Sequence, residues 1–400
     1  MAQEPNQPLT LADCYALALN ESEGIAIRKE LIAEAQARFT QALSGILPRV
    51  SFSSSDKRQD GSGDSAFTLR HVPERKFVFS QPLFSGFKEF AAMTGTQAER
   101  RWRTQEKIRA EQLLFTDVAE AFTLLLEQQE DLHVLETSHQ VLLKRIEELK
   151  DRERLGRSRP SEVVSSWAQL HRVEAEMELA RSSETTARQL LEFLTGYPRI
   201  DAIRDTEPFP SWVEDEERYL AKGVSRPDVR AAQEAAVVAH QQLRVAKAGF
   251  WPTVGLEGNG YLERAGVSKD ISWDATFKVD VPIFDGGQTL GAVRQAGSQA
   301  RQASLQLSQT QRRAIQEIRD AYTRLQSALS RSQAFAKASE ATEESYSFQV
   351  EDYRLNLVNN LEVLQSLQTL QDARRELIHA RYEAKRAYWS LRVATGETLP

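Results

Sequence analysis

The feature that most constrains this chain is an internal duplication. Gln81-Pro82-Leu83-Phe84-Ser85-Gly86 returns 200 residues on as Val281-Pro282-Ile283-Phe284-Asp285-Gly286. Ser161-Glu162-Val163-Val164 and Thr195-Gly196 return at the same offset as Leu361-Glu362-Val363-Leu364 and Thr395-Gly396. Upstream, Gly45-Ile46-Leu47-Pro48-Arg49-Val50 matches Gly249-Phe250-Trp251-Pro252-Thr253-Val254 at an offset of 204, which places four extra residues of the first copy in the Gly/Ser/Asp-rich stretch Gln59 to Ser65. A duplicated chain builds one supersecondary unit twice, and each unit leaves a face that a neighbour must cover.

Within each copy the order of elements is the same. The first repeat, residues 1–200, reads as a polar tail over 1–9, a helix over 10–45 entered at the N-cap Thr10, strands at 48–57 and 72–84, a long helix over 87–155 and a helix over 161–196. Residues 201–225, rich in proline and acidic side chains, read as an equatorial linker. The second repeat, residues 226–400, reads as a helix over 226–249, strands at 251–264 and 272–284, a long helix over 288–355 and a helix over 361–396. Between Gly95 and Gly156 there is neither glycine nor proline, which allows roughly 90 Å of uninterrupted helix. Leu114, Val118, Ala121, Leu125, Leu132, Leu135, Leu142, Ile146 and Leu149 follow the three-and-four spacing of a coiled-coil seam, broken only at Gln128 and His139. The matching seam of the second copy is more polar at Ser332, Ser339, Thr342 and Gln349, and reads either as facing water or as a weakly packed surface helix. In each copy the two shorter helices, stacked end to end, match the long one, so they can run antiparallel beside it.

Four strands leave two sheet edges. A small open sheet with apolar side chains invites pairing with other copies, and closure into a barrel would remove the edges. The other class of fold open to such a chain is a soluble helical coiled-coil scaffold in which the hairpins are mere connectors.

Composition narrows the function. The chain has 400 residues, 41% of them hydrophobic and 27% charged, with no run of apolar residues long enough for a transmembrane helix. A net charge of −6 weighs against nucleic acid as a partner. No signal peptide is visible at Met1-Ala2-Gln3-Glu4-Pro5, as expected either of a cytosolic protein or of a mature exported chain given a start methionine. Cys14 is alone and reads as a buried small hydrophobe. Gly255, Gly258 and Gly260 sit inside a strand pattern with no helix following, so they read as strand glycines and not as a nucleotide loop. The six histidines lack metal-ligand spacing and no nucleophile motif occurs, so no enzyme, metal or cofactor is expected.

Leu9-Thr10-Leu11, Ala16-Leu17-Ala18-Leu19-Asn20, Arg226-Pro227-Asp228-Val229, Trp251-Pro252-Thr253-Val254, Val281-Pro282-Ile283-Phe284-Asp285-Gly286-Gly287 and Ala394-Thr395-Gly396 resemble, in order and spacing, the TolC-type outer membrane efflux protein family. These are the outer membrane factors of tripartite efflux or type I secretion systems. The resemblance covers nearly the whole chain. It implies a mainly α protomer with a β part: a homotrimer whose twelve strands form an outer-membrane barrel continuous with a periplasmic helical tunnel. It further implies outer-membrane lipid around the barrel, a periplasmic membrane-fusion adaptor as partner, and an inner-membrane efflux pump or ABC transporter as the driving component. The two helix-to-helix breaks would form the periplasmic tip. Leu155, Gly156, Arg157 and Ser158 of the first, and Leu355, Asn356 and Leu357 of the second, would contact the adaptor. Tyr353 and Glu162 fall on a pair that holds the family's closed tip, while Val358 replaces the archetype's arginine there. Glu362 falls on the first of two acidic rings and Gln365 on the second, so one ring of carboxylates is expected. Asn356 stands where the first repeat has Gly156, and asparagine tolerates the left-handed backbone such a turn requires.

Overall fold

The computed structural model describes residues 8–210 and 212–397. Among the described residues there are eight helices and four strands, in the order α1 (Leu11–Glu21), α2 (Glu23–Leu43), β1 (Arg49–Arg58), β2 (His71–Ser85), α3 (Lys88–Arg154), α4 (Pro160–Thr195), α5 (Glu216–Gly223), α6 (Pro227–Ala248), β3 (Thr253–Arg264), β4 (Trp273–Asp280), α7 (Gln288–Arg354) and α8 (Asn360–Ala394). The connection between β1 and β2, residues 59–70, is four longer than that between β3 and β4, residues 265–272, so the extra residues of the first copy lie in its hairpin loop.

Three elements depart from the sequence reading. The expected single helix over 10–45 is two helices broken at Ser22, whose ψ of 111° leaves the helical region. Its amide closes α1 onto the Ala18 carbonyl, and its hydroxyl accepts from the Ile25 amide to open α2. The strand expected over 272–284 ends at Asp280, because Asp280 already pairs with Thr253, the first residue of β3, and nothing remains for the next residues to bond. The expected linker over 201–225 is partly structured: it carries α5, and Ile203 forms a parallel bridge with Leu9, which is buried and no part of a free tail.

By contacts the chain divides into two compact units that do not coincide with the two repeats. One comprises Met1–Ala26, Ile108–Arg226 and Gln311–Pro400; the other comprises Ile27–Lys107 and Pro227–Thr310. Each therefore takes segments from both copies.

The first unit is a helical bundle. Thr10 caps α1 in a reciprocal box with Asp13. Seam residues Val118, Ala121, Leu125, Leu135, Leu142, Ile146 and Leu149 of α3 are buried, joined by Phe115 and Phe122. They pack in successive clusters against α1, α4 and α8, with Trp389 meeting Phe115 edge to face at 5.2 Å. On α7, Ser332 and Ser339 are buried, so that part of the polar seam is packed against protein. Cys14 is fully buried, and burial pushes its thiol up to about 12, which keeps it an inert thiol. Polar pairs cross between the repeats inside this unit: Arg375 grips both oxygens of Asp131 at 2.6 and 3.0 Å, and Tyr382 donates to Glu130 at 2.7 Å. Among the described residues no helix is long and apolar enough to cross a membrane.

The second unit carries the sheet, a β1-β2-β3-β4 meander, antiparallel throughout. The central pairing, β2 with β3, is the seam between the two repeats. Register decides what each face shows. Phe52 opposes Phe77, Val50 opposes Phe79, Leu256 opposes Phe277, and Val254 sits between Phe84 and Val279. These share one face with Trp273. The alternate positions Ser51, Ser53, Lys76, Ser80, Glu257, Asn259, Tyr261, Asp274, Thr276 and Lys278 form the other, with Val78 among them, and there Asn259 and Tyr261 both donate to Asp274 at 2.8 Å. The apolar face is bare: Val50 and Trp273 are each 70% exposed and Phe277 is 64% exposed.

Candidate functional site

The two helix breaks are built alike. At the first, Gly156 has a φ of 70°, the Gly156 amide donates to the Glu153 carbonyl at 2.8 Å, and the Arg157 amide reaches back to the Arg152 carbonyl at 2.8 Å. At the second, Asn356 has a φ of 61°, with the Asn356 amide on the Tyr353 carbonyl at 3.1 Å and the Leu357 amide on the Asp352 carbonyl at 2.9 Å. Both satisfy the last carbonyls of a long helix with a left-handed residue, the usual way a helix stops sharply. The re-entry differs. Pro160 opens α4 with its fixed φ, whereas Asn359 caps α8 and forms a reciprocal box with Glu362. Leu155, Leu355 and Leu357 project from the turns at 70%, 63% and 70% exposure.

Below the turns lies a polar network that ties α3, α4, α7 and α8 together. Tyr353 is buried, and its hydroxyl donates to Glu162 at 3.2 Å. Ser158 donates to the same carboxylate oxygen at 2.8 Å. Asn360 is wholly buried; its amide nitrogen donates to Ser166 at 3.0 Å and to the Glu162 carbonyl at 3.3 Å, and its oxygen accepts from Arg145 Nε at 3.1 Å. The Arg145 guanidinium lies 3.8 Å from the centroid of the Tyr353 ring, and that of Arg152 lies 4.7 Å from it. Arg145 Nη2 is buried without a hydrogen-bond partner, and the carboxylate nearest in charge, Glu148, stands 3.6 Å from Nη1 and is itself 61% exposed. Burial pulls the Arg145 pKa down from its ordinary value, against the upward pull of Tyr353, Glu148 and Tyr346.

The signature of the family described as "Outer membrane efflux protein" matches residues 223–397. Outer membrane protein TolC of Vibrio cholerae is 23% identical over 300 residues, covering 72% of this chain and 67% of that protein. Alkaline protease secretion protein AprF of Pseudomonas aeruginosa is 24% identical over 323 residues, covering 72% of this chain and 64% of that protein. The crystal structure of the outer membrane protein VceC from Vibrio cholerae superposes with a TM-score of 0.84 over 96% of each chain, at 23% identity. Residues 223–397 thus carry that family's signature, and the chain as a whole shares the fold of VceC.

The gate residues expected from the resemblance separate into two groups. Glu162 and Tyr353 meet, with Ser158 as a third partner. Glu362 and Gln365 are exposed on α8, and the Glu362 carboxylate accepts from the Asn359 side-chain amide at 2.7 Å. Arg145, Asn360 and Ser166 were not singled out from the sequence. One signal was present: Asn360 stands in the repeat position of Pro160, a polar residue where the other copy has a helix-opening proline. Arg145 carried no such mark. Among the described residues no group of His, Cys, Asp or Glu side chains could hold a metal ion.

Asn356 gives a direct test of the second turn. Asn356→Gly should be tolerated, whereas Asn356→Val, forcing a β-branched residue into left-handed backbone, should cost about 1–3 kcal/mol. Paired thermal melts of the two variants read the difference.

Proposed function

We propose that the chain is a passive export duct of the outer membrane. Three copies each give four strands to a closed twelve-stranded barrel and their helices to a tunnel in the periplasm. A periplasmic membrane-fusion adaptor docks on the tip, and an inner-membrane efflux pump or ABC transporter supplies the energy and chooses the cargo: small molecules, metal ions or polypeptides. The observation that carries this reading is the sheet. One of its faces is apolar and uncovered, the other is polar, and its outer strands β1 and β4 each pair on one side only. That alternation is the pattern of a barrel wall between lipid and an aqueous lumen, and joining β1 of one copy to β4 of the next removes both edges. A soluble scaffold has no use for an uncovered aromatic sheet face.

The tip is the gate. The Glu162–Tyr353 hydrogen bond, backed by Arg145 and Asn360, ties the α7–α8 pair to the α3–α4 pair and is the latch that opening must break. Leu155, Gly156, Arg157, Ser158, Leu355, Asn356 and Leu357 form the adaptor contact, with the exposed leucines as its apolar knobs. Three copies of Glu362 set a single carboxylate ring at the entrance, with Gln365 leaving the second ring uncharged.

Purified protein in a planar bilayer should form a conducting channel; a chain that extracts without detergent and stays monomeric would sink the duct reading. Glu362→Gln keeps an acceptor for the α8 cap while removing the charge. Block by a trivalent cation should weaken about fivefold or more, at ~1 kcal/mol per neutralised charge in water. Unchanged block would remove Glu362 from the gate.

A further inference from the structure

The apolar face of the sheet ends in a group of rings at the junction of strands and helices. Phe84 meets Phe87 edge to face at 5.2 Å and Trp251 at 6.4 Å, and Phe87 lies 6.4 Å from Phe90. Beside them a groove of about 310 Å³ opens between the start of α3 and the end of α6, lined by Phe87, Phe90, Thr94, Arg244, Lys247 and Trp251. We propose that this groove binds the headgroup of an anionic glycerophospholipid, whose acyl chains lie along the apolar sheet face. The inference rests on the reading of that face as lipid-facing.

Three observations lead to a lipid of this charge. Arg244 and Lys247, three residues apart on one side of α6, are both exposed, and neither forms an ion pair among the described residues. No carboxylate lines the groove. Glu89 of α3, outside the lining, accepts from Ser85 and has Lys88 at 4.0 Å. Compensation of the α6 dipole accounts for Lys247 in its last turn but not for the rings beside it: Phe87 is 63% exposed, Phe90 58% and Trp251 55%. Exposed aromatic rings beside unpaired cations are the composition that a bilayer's headgroup level selects. Phe87 adds a third argument, being a bulky residue held at a φ of 62°. Left-handed backbone at phenylalanine is strained, and contact of its ring with a bound lipid is a compensation that water does not offer.

The test is lipid retention by the full-length protein purified in a neutral detergent, read by native mass spectrometry after addition of phosphatidylglycerol or phosphatidylcholine. Wild type should retain phosphatidylglycerol in preference by about tenfold or more, at roughly fivefold for each basic side chain at an anionic surface. The double variant R244Q/K247Q should bring the two lipids to parity, while R244K/K247R keeps the preference. Both pairs are exposed, and far-UV circular dichroism should be the same for all three proteins. Equal retention by wild type, or an undiminished preference in R244Q/K247Q, overturns the proposal. So does complete displacement of phosphatidylglycerol by inorganic phosphate, which would make the groove a bare anion site. A protein that enters bilayers without preferring either lipid fails only this inference; one that enters no bilayer fails the duct reading first.

Discussion

An arginine at Phe277 should cost about 2–4 kcal/mol of stability in a bilayer, and an arginine at Thr276, its immediate neighbour, should cost little. The two residues are adjacent on β4 and both exposed in the single chain, so a soluble protein would treat them alike. They differ in face. Phe277 opposes Leu256 on the apolar side, while Thr276 opposes Glu257 on the polar side. In a barrel the first side chain enters hydrocarbon and the second enters water. Urea titrations of the two variants refolded into phosphatidylcholine bilayers compare the costs directly. Equal and small losses would mean that the apolar face meets no lipid, and the barrel would have to be abandoned.

The second large effect is expected at Arg145. Arg145→Ala removes the cation stacked on Tyr353 and leaves the buried Asn360 oxygen without its donor. A desolvated cation–π contact is worth about 2 kcal/mol, and an orphaned buried acceptor costs about 1–3 kcal/mol. Against this stands relief of a buried guanidinium with one unpartnered nitrogen. A net loosening of 1–2 kcal/mol shifts a two-state tip by roughly 5–30-fold toward opening. Single-channel recordings should show that shift as a higher open fraction. Arg145→Lys should restore little of it, because an ammonium cannot both stack on the ring and donate sideways to Asn360. Arg145→Met distinguishes the two contributions: a tighter, more heat-stable tip would mean that desolvation outweighs the contacts. If the alanine and methionine variants match wild type in both conductance and melting, Arg145 has no part in the latch.

The sequence carried the outline of this fold in its punctuation. Pro82 and Pro282, Gly156 and Asn356, and the long stretches without glycine or proline mark where strands exit and helices turn, since those residues act on the local backbone. The break at Ser22 was hidden because Glu21, Ser22 and Glu23 contain no strong breaker, and a serine's hydroxyl competes with the helix without excluding it. The polar network beneath the tip was hidden for a different reason. Arg145 and Asn360 are 215 positions apart, and no local pattern registers a bond that forms only when two hairpins of helices pack together. The turns of the candidate site were therefore legible, and its interior support was not.

The sheet also fixes a thickness. Its apolar rows run from the level of Phe84, Val254 and Val279 to that of Phe52, Phe77 and Trp273. Beyond them Ser54 pairs with Arg75, which binds Glu263 at 3.0 Å. Four rows two residues apart extend about 20 Å along the strands, and less along the membrane normal once the strands tilt by about 40°. A bilayer with a hydrocarbon core of about 30 Å would have to thin to match that band. In the proposed barrel, the hydrophobic span of these strands would favour the thinner of a cell's membranes, independently of any signal that directs the protein there.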